Sequence, residues 1–332
     1  MNTIIARKIL YIFIASFTVF FCCAFIKTNQ PSEYCGLSVS PNGKWLAVTT
    51  TDKLQVFRYS TKELIFSTST ADKVFSAYSP GPCFYVTWSP DSNFLAIGLV
   101  NGGVEIWETS SWHEVSQKID KNNEYYVSVG IAWSKDSSKL ALGNSPNKIR
   151  VWDSNTRTWS LISASIEHLI SLFWQPDGSL IILDYRTLLN LTNGEKVQSL
   201  DHWIDGYGNM IWNADSSHVL EFFDIGGSVM DVKKNVHEFR AGTYPTFAWS
   251  KDGRLFATVQ QCDGEIWIWD SIANLVIRRS QQRTDFYALA WTPNNELLAL
   301  VNRENSILIW NVTSGIEYLR FENQVEPYCV FH

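Results

Sequence analysis

The side chains able to do chemistry are few in this sequence, and they stand apart from one another. His113, His168, His202, His218, His237 and His332 make up the histidines, and none lies at metal-ligand spacing from a cysteine or carboxylate. A lone histidine on a strand is ordinarily a satisfied or solvated side chain. Asp91, Asp136, Asp177 and Asp252 recur like a repeated acid, but each sits in a Ser-Pro, Ser-Lys or Gln-Pro turn that explains it. The sequence has no Gly-rich phosphate loop, HExxH, nucleophile elbow, EF-hand loop or CxxC pair. No catalytic constellation, metal site or cofactor is therefore expected. Asn190-Leu191-Thr192 and Asn311-Val312-Thr313 match the glycosylation acceptor pattern, with a repeat position described below as the first explanation of both.

Charge narrows the partners. A net charge of −6 and a pI near 5.6 do not suit phosphate binding, so no nucleic acid is expected. Apolar residues make up 45% of the chain against 18% charged, ample for a core and unlike a disordered chain.

The N-terminus is of another kind. After Arg7 and Lys8, the run from Ile9 to Ile26 carries no charge, and Lys27 closes it. As a helix it would span about 27 Å, close to a hydrocarbon core. It fits an uncleaved anchor, and equally a signal peptide cut after Ala24, with Cys22 and Ala24 as the small residues. Phe20 and Phe21 before Cys22 do not suit a lipoprotein box. The positive-inside rule then puts the remainder on the non-cytoplasmic side, membrane-anchored or secreted. The expected organisation is this segment over 1–27, a linker over 28–33, and one repeat domain over 34–332.

What positions everything else is an internal repeat. One phrase recurs seven times: VSPNGKWLAV from Val39, WSPDSNFLAI from Trp88, WSKDSSKLAL from Trp133, WQPDGSLIIL from Trp174, WNADSSHVLE from Trp212, WSKDGRLFAT from Trp249 and WTPNNELLAL from Trp291. A second phrase follows each one and carries Phe57, Trp107, Trp152, Leu189, Met230, Trp269 or Trp310 in fourth place. Ten of the fifteen tryptophans fall on these two anchors, which chance does not arrange. Each unit reads as four short antiparallel strands, A to D. The first anchor ends strand A, and a Pro/Asp/Gly turn leads into strand B. Strand B is apolar without alternation, so both of its faces are covered. Strand C holds the second anchor, and strand D is more polar. A sheet apolar on both faces needs a like neighbour on each side, which radial stacking supplies.

With IRVWD at 149–153, IWIWD at 266–270, WSPD at 88–91 and WSKDG at 249–253, the chain resembles the WD-repeat β-propeller family over roughly Tyr34 to Phe321. The resemblance implies an all-β fold: a seven-bladed β-propeller of four-stranded antiparallel blades, preceded by the N-terminal apolar helix. It departs from the family in lacking the Gly-His pair before strand A. The family's buried His–Ser–Asp–Trp relay is therefore expected to be incomplete in every blade. Blades 4 and 5, with Leu189 and Met230 in place of Trp, are expected to be the softer ones.

The functional expectation is a non-catalytic platform that binds a protein or peptide on one rim. The alternatives are a propeller enzyme or small-ligand receptor using the central channel, and a structural subunit of a membrane-associated assembly. A–B turns are short and stereotyped, whereas the D–A segments are aromatic. Tyr125, Trp203, Tyr207, Tyr244 and Phe286 are the expected contacts, being residue types that dominate binding hot spots. Both chain ends offer an inner strand, Tyr34–Ser40 and Tyr328–Phe331. If the two meet, Cys35 and Cys329 could pair. Cys35, Cys83, Cys262 and Cys329 allow three pairings or four free thiols.

Overall fold

The computed structural model describes residues 34–50, 53–69, 86–98, 103–116, 128–144, 148–162, 169–175, 177–184, 187–192, 196–199, 210–213, 218–223, 226–231, 236–239, 246–259, 264–280, 286–302 and 306–321. The chain divides into two units after Ser32. The expected N-terminal helix, Cys83, Cys262 and the tail strand with Cys329 all lie outside the described residues. Among the described residues no helix is long and apolar enough to cross a membrane.

The described secondary structure is strand. Sheet 1 comprises β1 (Tyr34–Val39), β2 (Trp45–Thr50), β3 (Lys53–Arg58) and β4 (Leu64–Ser69). Sheet 2 comprises β5 (Val86–Trp88), β6 (Phe94–Gly98), β7 (Val104–Glu108) and β8 (His113–Glu114). Sheet 3 comprises β9 (Ser128–Trp133), β10 (Lys139–Asn144), β11 (Lys148–Asp153) and β12 (Thr158–Ile162). Sheet 4 comprises β13 (Leu169–Trp174), β14 (Leu180–Asp184), β15 (Thr187–Asn190) and β16 (Lys196–Ser199). Sheet 5 comprises β17 (Met210–Trp212), β18 (His218–Phe223), β19 (Gly226–Asp231) and β20 (Val236–Phe239). Sheet 6 comprises β21 (Thr246–Trp249), β22 (Leu255–Val259), β23 (Ile266–Asp270) and β24 (Leu275–Arg279). Sheet 7 comprises β25 (Phe286–Trp291), β26 (Leu297–Asn302), β27 (Ile307–Asn311) and β28 (Glu317–Phe321).

Within each sheet the four strands lie in chain order, every pair antiparallel. Every sheet is complete in itself, and β1 already fills the first position of sheet 1. First strands of successive sheets pack side by side: β1 by β5, β5 by β9, β9 by β13, and β21 by β25. The last sheet also meets the first, with β25 packed against β1.

The second strands show why alternation is missing from their sequences. Leu95 and Ile97 face sheet 1 in one cluster, while Ala96 faces Trp133 of sheet 3 in another. The central alanine recurs for a packing reason. Ala47 clusters with Trp88, Ala96 with Trp133, Ala141 with Trp174 and Ala257 with Trp291. A small residue thus receives the indole of the next sheet, the large-against-small fit of a close-packed interior. Both anchors of a sheet therefore lean back on the sheet before it.

Six of the ten anchor tryptophans are buried as the repeat predicts: Trp88, Trp133, Trp152, Trp269, Trp291 and Trp310. Trp107, Trp174 and Trp249 are only half-buried, a correction to that expectation. The Trp107 ring lies against Phe66 of outer strand β4, and Trp174 borders an open hollow. The side chain of Trp212 is outside the described residues.

Candidate partner-binding rim

Antiparallel order puts the A–B and C–D turns on one rim and the B–C and D–A connections on the other. The A–B turns are built from their own side chains. In sheet 3 the Ser134 hydroxyl donates to Asp136 Oδ1 at 2.6 Å and accepts the Lys139 N–H at 2.9 Å. Asp136 also accepts the Ser138 N–H at 3.0 Å. The Ser134 hydroxyl first, then the Ser138 N–H, holds the Asp136 carboxyl below the usual carboxylate range. Ser40/Asn42, Ser89/Asp91, Ser250/Asp252 and Thr292/Asn294 repeat the arrangement.

The fourth turn residue has positive φ: Gly43, Ser92, Ser137, Gly178, Gly253 and Asn295. Where it is not glycine, its side chain reaches the preceding sheet. Ser92 Oγ accepts the Asn42 N–H at 3.0 Å, and Ser137 Oγ accepts the Asp91 N–H at 3.0 Å. Asn295 Oδ1 accepts the Lys251 N–H at 2.7 Å. Gly253 is glycine for two reasons: its φ is +71°, and a Cβ there would come within 2.7 Å of Asn213 Nδ2. Gly178 (φ +88°) has nothing within 4 Å of a Cβ position. Beside it lies a hollow of about 300 Å³ lined by Lys135, Asp136, Trp174 and Asp177. Composition foretells the turns themselves. The links between them were missed, though a Ser or Asn at a position that favours glycine was the available signal.

Indole N–H groups stitch the first strands together. Trp88 Nε1 donates to Ser38 O at 3.1 Å, Trp174 Nε1 to Ala132 O at 3.0 Å and Trp291 Nε1 to Ala248 O at 2.9 Å. Each acceptor lies on the preceding sheet. The second anchors fare differently. Trp269 Nε1 donates to Thr258 Oγ1 at 3.1 Å. The Nε1 atoms of Trp107, Trp152 and Trp310 are buried without a partner among the described residues. Where sheet 6 has Thr258 in its second strand, those three sheets carry Ile97, Leu142 and Leu300. The acceptor is missing because the residue is aliphatic.

The C–D turns close the same rim. Asp153 accepts the N–H of Asn155 and Thr156, and Asp270 those of Ile272 and Ala273. The Thr156 N–H lowers the Asp153 pKa most, and the Ala273 N–H that of Asp270. Tyr59, in the turn of sheet 1, packs on the cluster shared with sheet 7. Burial, then Tyr318, raises its phenol to about 12. Most Ser, Asp and Asn side chains of these turns are engaged in the rim's own hydrogen bonds, while Tyr59 Oη and Asn274 Oδ1 are buried without a partner among the described residues.

The expected contacts fall in or beside the D–A segments of the sequence. Tyr125, Trp203, Tyr207 and Tyr244 lie outside the described residues. Phe286 is a correction. It opens β25, is 4% exposed, and packs with Val259, Ile266 and Leu308. The apolar contact between sheets 6 and 7 takes its ring, so Phe286 belongs to the core and offers no free contact. Cys35 lies in β1, while Cys329 is outside the described residues. Sequence reading also missed an outer wall on which Ile272, Leu275, Ile277, Ile316 and Tyr318 stand exposed. Ile277 and Tyr318 fall at irregularities in the pairing of β24 and β28. Among the described residues no three His, Cys, Asp or Glu side chains group as metal ligands would.

Residues 235–270 match the WD domain, G-beta repeat. That stretch contains Thr258 and Trp269, the one second-anchor indole described with an acceptor. No curated protein matches the chain in sequence. Among solved structures, the chain is similar to hydrazine synthase of Kuenenia stuttgartiensis, with 13% identity and a TM-score of 0.64 over 87% of this chain and 97% of that one. It is also similar to the Cps50 (Swd1) β-propeller domain of Myceliophteria thermophila, with 14% identity and a TM-score of 0.65 over 86% of this chain and 98% of that one. At such identities the likeness concerns the fold.

Proposed function

We propose that this chain, a β-propeller of the WD40-repeat type, is a non-catalytic platform that holds a protein or peptide on the rim of its D–A and B–C connections. The observation that carries this reading is how far the turns of the A–B rim are engaged with one another. On the A–B side, turn hydroxyls, carboxylates and amides are consumed by the turns and by links to the next sheet. Recognition then falls to the other rim, where Tyr125, Trp203, Tyr207 and Tyr244 supply large rings. Seven sheets with β25 packed on β1 support a closed ring of seven blades, a rigid frame for such a surface. We place the ring on the non-cytoplasmic side, anchored or secreted through the apolar run from Ile9 to Ile26.

The test is to replace Trp203, Tyr207 and Tyr244 together by Ala and measure melting and partner capture in parallel. Lost capture at an unchanged melting temperature is the expected result, with a Lys135→Ala control on the opposite rim retaining capture. A large fall in melting temperature would assign these rings to the core and overturn the surface.

A further inference from the structure

We propose that Asn311 is N-glycosylated and that its glycan covers the apolar outer wall of sheets 6 and 7; the inference rests on the non-cytoplasmic placement above. Asn311 occupies the turn position that Asp153 and Asp270 fill elsewhere, so capping alone does not require an amide. In both sheets with Asn here, Thr stands two residues on, as Thr192 and Thr313. After Asp153, Asp231 and Asp270 the residue in that place is Asn155, Lys233 and Ile272.

The turn spends only the oxygen of the Asn311 side chain. Its Oδ1 accepts the Ser314 N–H at 2.7 Å and the Ser314 hydroxyl at 3.0 Å. The Nδ2 amide is the atom that is modified. It attacks the anomeric carbon of a lipid-diphosphate-linked oligosaccharide. The N–C bond forms, the C–O bond to the diphosphate breaks, the lipid diphosphate leaves with the electron pair, and one amide proton is released. The product keeps its carbonyl oxygen, so the cap survives modification. Val312 is buried and fixes the turn, while Thr313 is exposed.

What surrounds the acceptor suits a sugar chain. The Asn311 N–H donates to Ile316 O at 2.9 Å, and Ile316 and Tyr318 are 64% and 65% exposed. The same turn abuts sheet 6, since a Cβ on Gly315 would lie 3.7 Å from Arg278 Nη1. Leu275 and Ile277, 62% and 53% exposed, precede Arg278 on the same strand. Four exposed apolar side chains on or beside the outer strands of two neighbouring sheets are the kind of surface a cover suits. The C–H faces of pyranose rings provide one without withdrawing sugar hydroxyls from water. At the other acceptor Thr192 is also exposed, but its Oγ1 is engaged, accepting the Leu180 N–H at 3.4 Å.

The experiment expresses the full chain with its own N-terminal segment in insect cells, with an Asn-Gly-Thr reporter appended after His332. Peptide mass spectrometry before and after glycosidase reads both acceptors. The expected result is a glycan on Asn311 and on the reporter, with the Asn311 glycan lost in Asn311→Asp and Thr313→Ala. Asn311→Asp should melt as the parent does, because Asp caps the same turn in sheets 3 and 6, and should bind more of a hydrophobic dye. A modified reporter beside a bare Asn311 overturns the proposal and leaves the placement standing. Two bare acceptors overturn the placement and the proposal with it. Equal dye binding by parent and Asn311→Asp overturns the covering role.

Discussion

Sheets 2 and 3 meet differently from sheets 3 and 4, although the same repeat builds both junctions. Between sheets 2 and 3, Phe94 stacks on Trp133 with centroids 5.8 Å apart, and Trp152 packs edge-on against both rings. Ser137 Oγ then links the turns by accepting the Asp91 N–H. Between sheets 3 and 4 the cluster is aliphatic apart from Trp174, with Leu189 where Trp152 would stand. Gly178 replaces the linking residue, and the hollow lies there. One contact goes the other way. Trp174 Nε1 reaches Ala132 O, whereas Trp133 Nε1 is buried without a partner among the described residues. The repeat thus sets strand order everywhere, while individual side chains decide how firmly each junction is held.

The largest expected effect comes from the second anchors. Trp152 is fully buried, and truncating it to Ala should cost about 3–5 kcal/mol through lost transfer energy and the cavity left behind. Leu189 is half-buried, and Leu189→Ala should cost about 2 kcal/mol. Urea denaturation of the full chain reads both. Equal losses would erase the contrast between the junctions.

Much of this was legible in the sequence, for reasons that can be named. A tryptophan at a fixed place in a recurring phrase marks a strand end, so the first and second anchors located Trp88 to Trp310 in their sheets. Turn chemistry is equally local, and Ser134-Lys135-Asp136 declares its own hydrogen bonds. Relations between sheets were less legible. Phe286 looks like any loop aromatic until β25 is seen to begin with it, because burial depends on a neighbour that sequence spacing does not name. The outer wall was missed for a similar reason. Leu275 and Ile277 alternate outward around half-buried Val276, and Ile316 and Tyr318 around Glu317, but the sequence of an outer strand does not name which of its faces is left uncovered.

An intermediate effect is expected from the turn links. Ser137→Ala removes the acceptor of the Asp91 N–H and keeps the positive φ, and should cost about 1 kcal/mol. Gly178→Asn copies Asn295, which accepts a lysine N–H in the same turn sequence, Ser-Lys-Asp, of sheet 6. Asn tolerates positive φ, and the Cβ position at Gly178 is open. It should bond Lys135 N–H, shrink the hollow and add about 0.5–1 kcal/mol. Denaturation midpoints measured on the two variants settle this. A Gly178→Asn chain no more stable than its parent would show that the hollow is not a missing link.

The smallest effect is electrostatic and sits in the turn that serves both junctions. Asp136 neighbours Ser137, the link to sheet 2, and its own side chain lines the hollow toward sheet 4. The Ser134 hydroxyl and Ser138 N–H lower its folded pKa beneath an unfolded value of roughly 3.9. An unfolded chain therefore binds this proton first on acidification, so the stabilisation is whole above about pH 4 and is lost as pH falls through the folded value. Asp136→Asn keeps an acceptor for both donors but removes the charge. The variant should be slightly less stable than the parent at neutral pH, with the gap closing once the parent's carboxylate is protonated. Urea midpoints of the two chains across the acid range test it. A gap that persists undiminished below the folded pKa would mean that the side chain acts through its shape, and that charge contributes nothing to this turn.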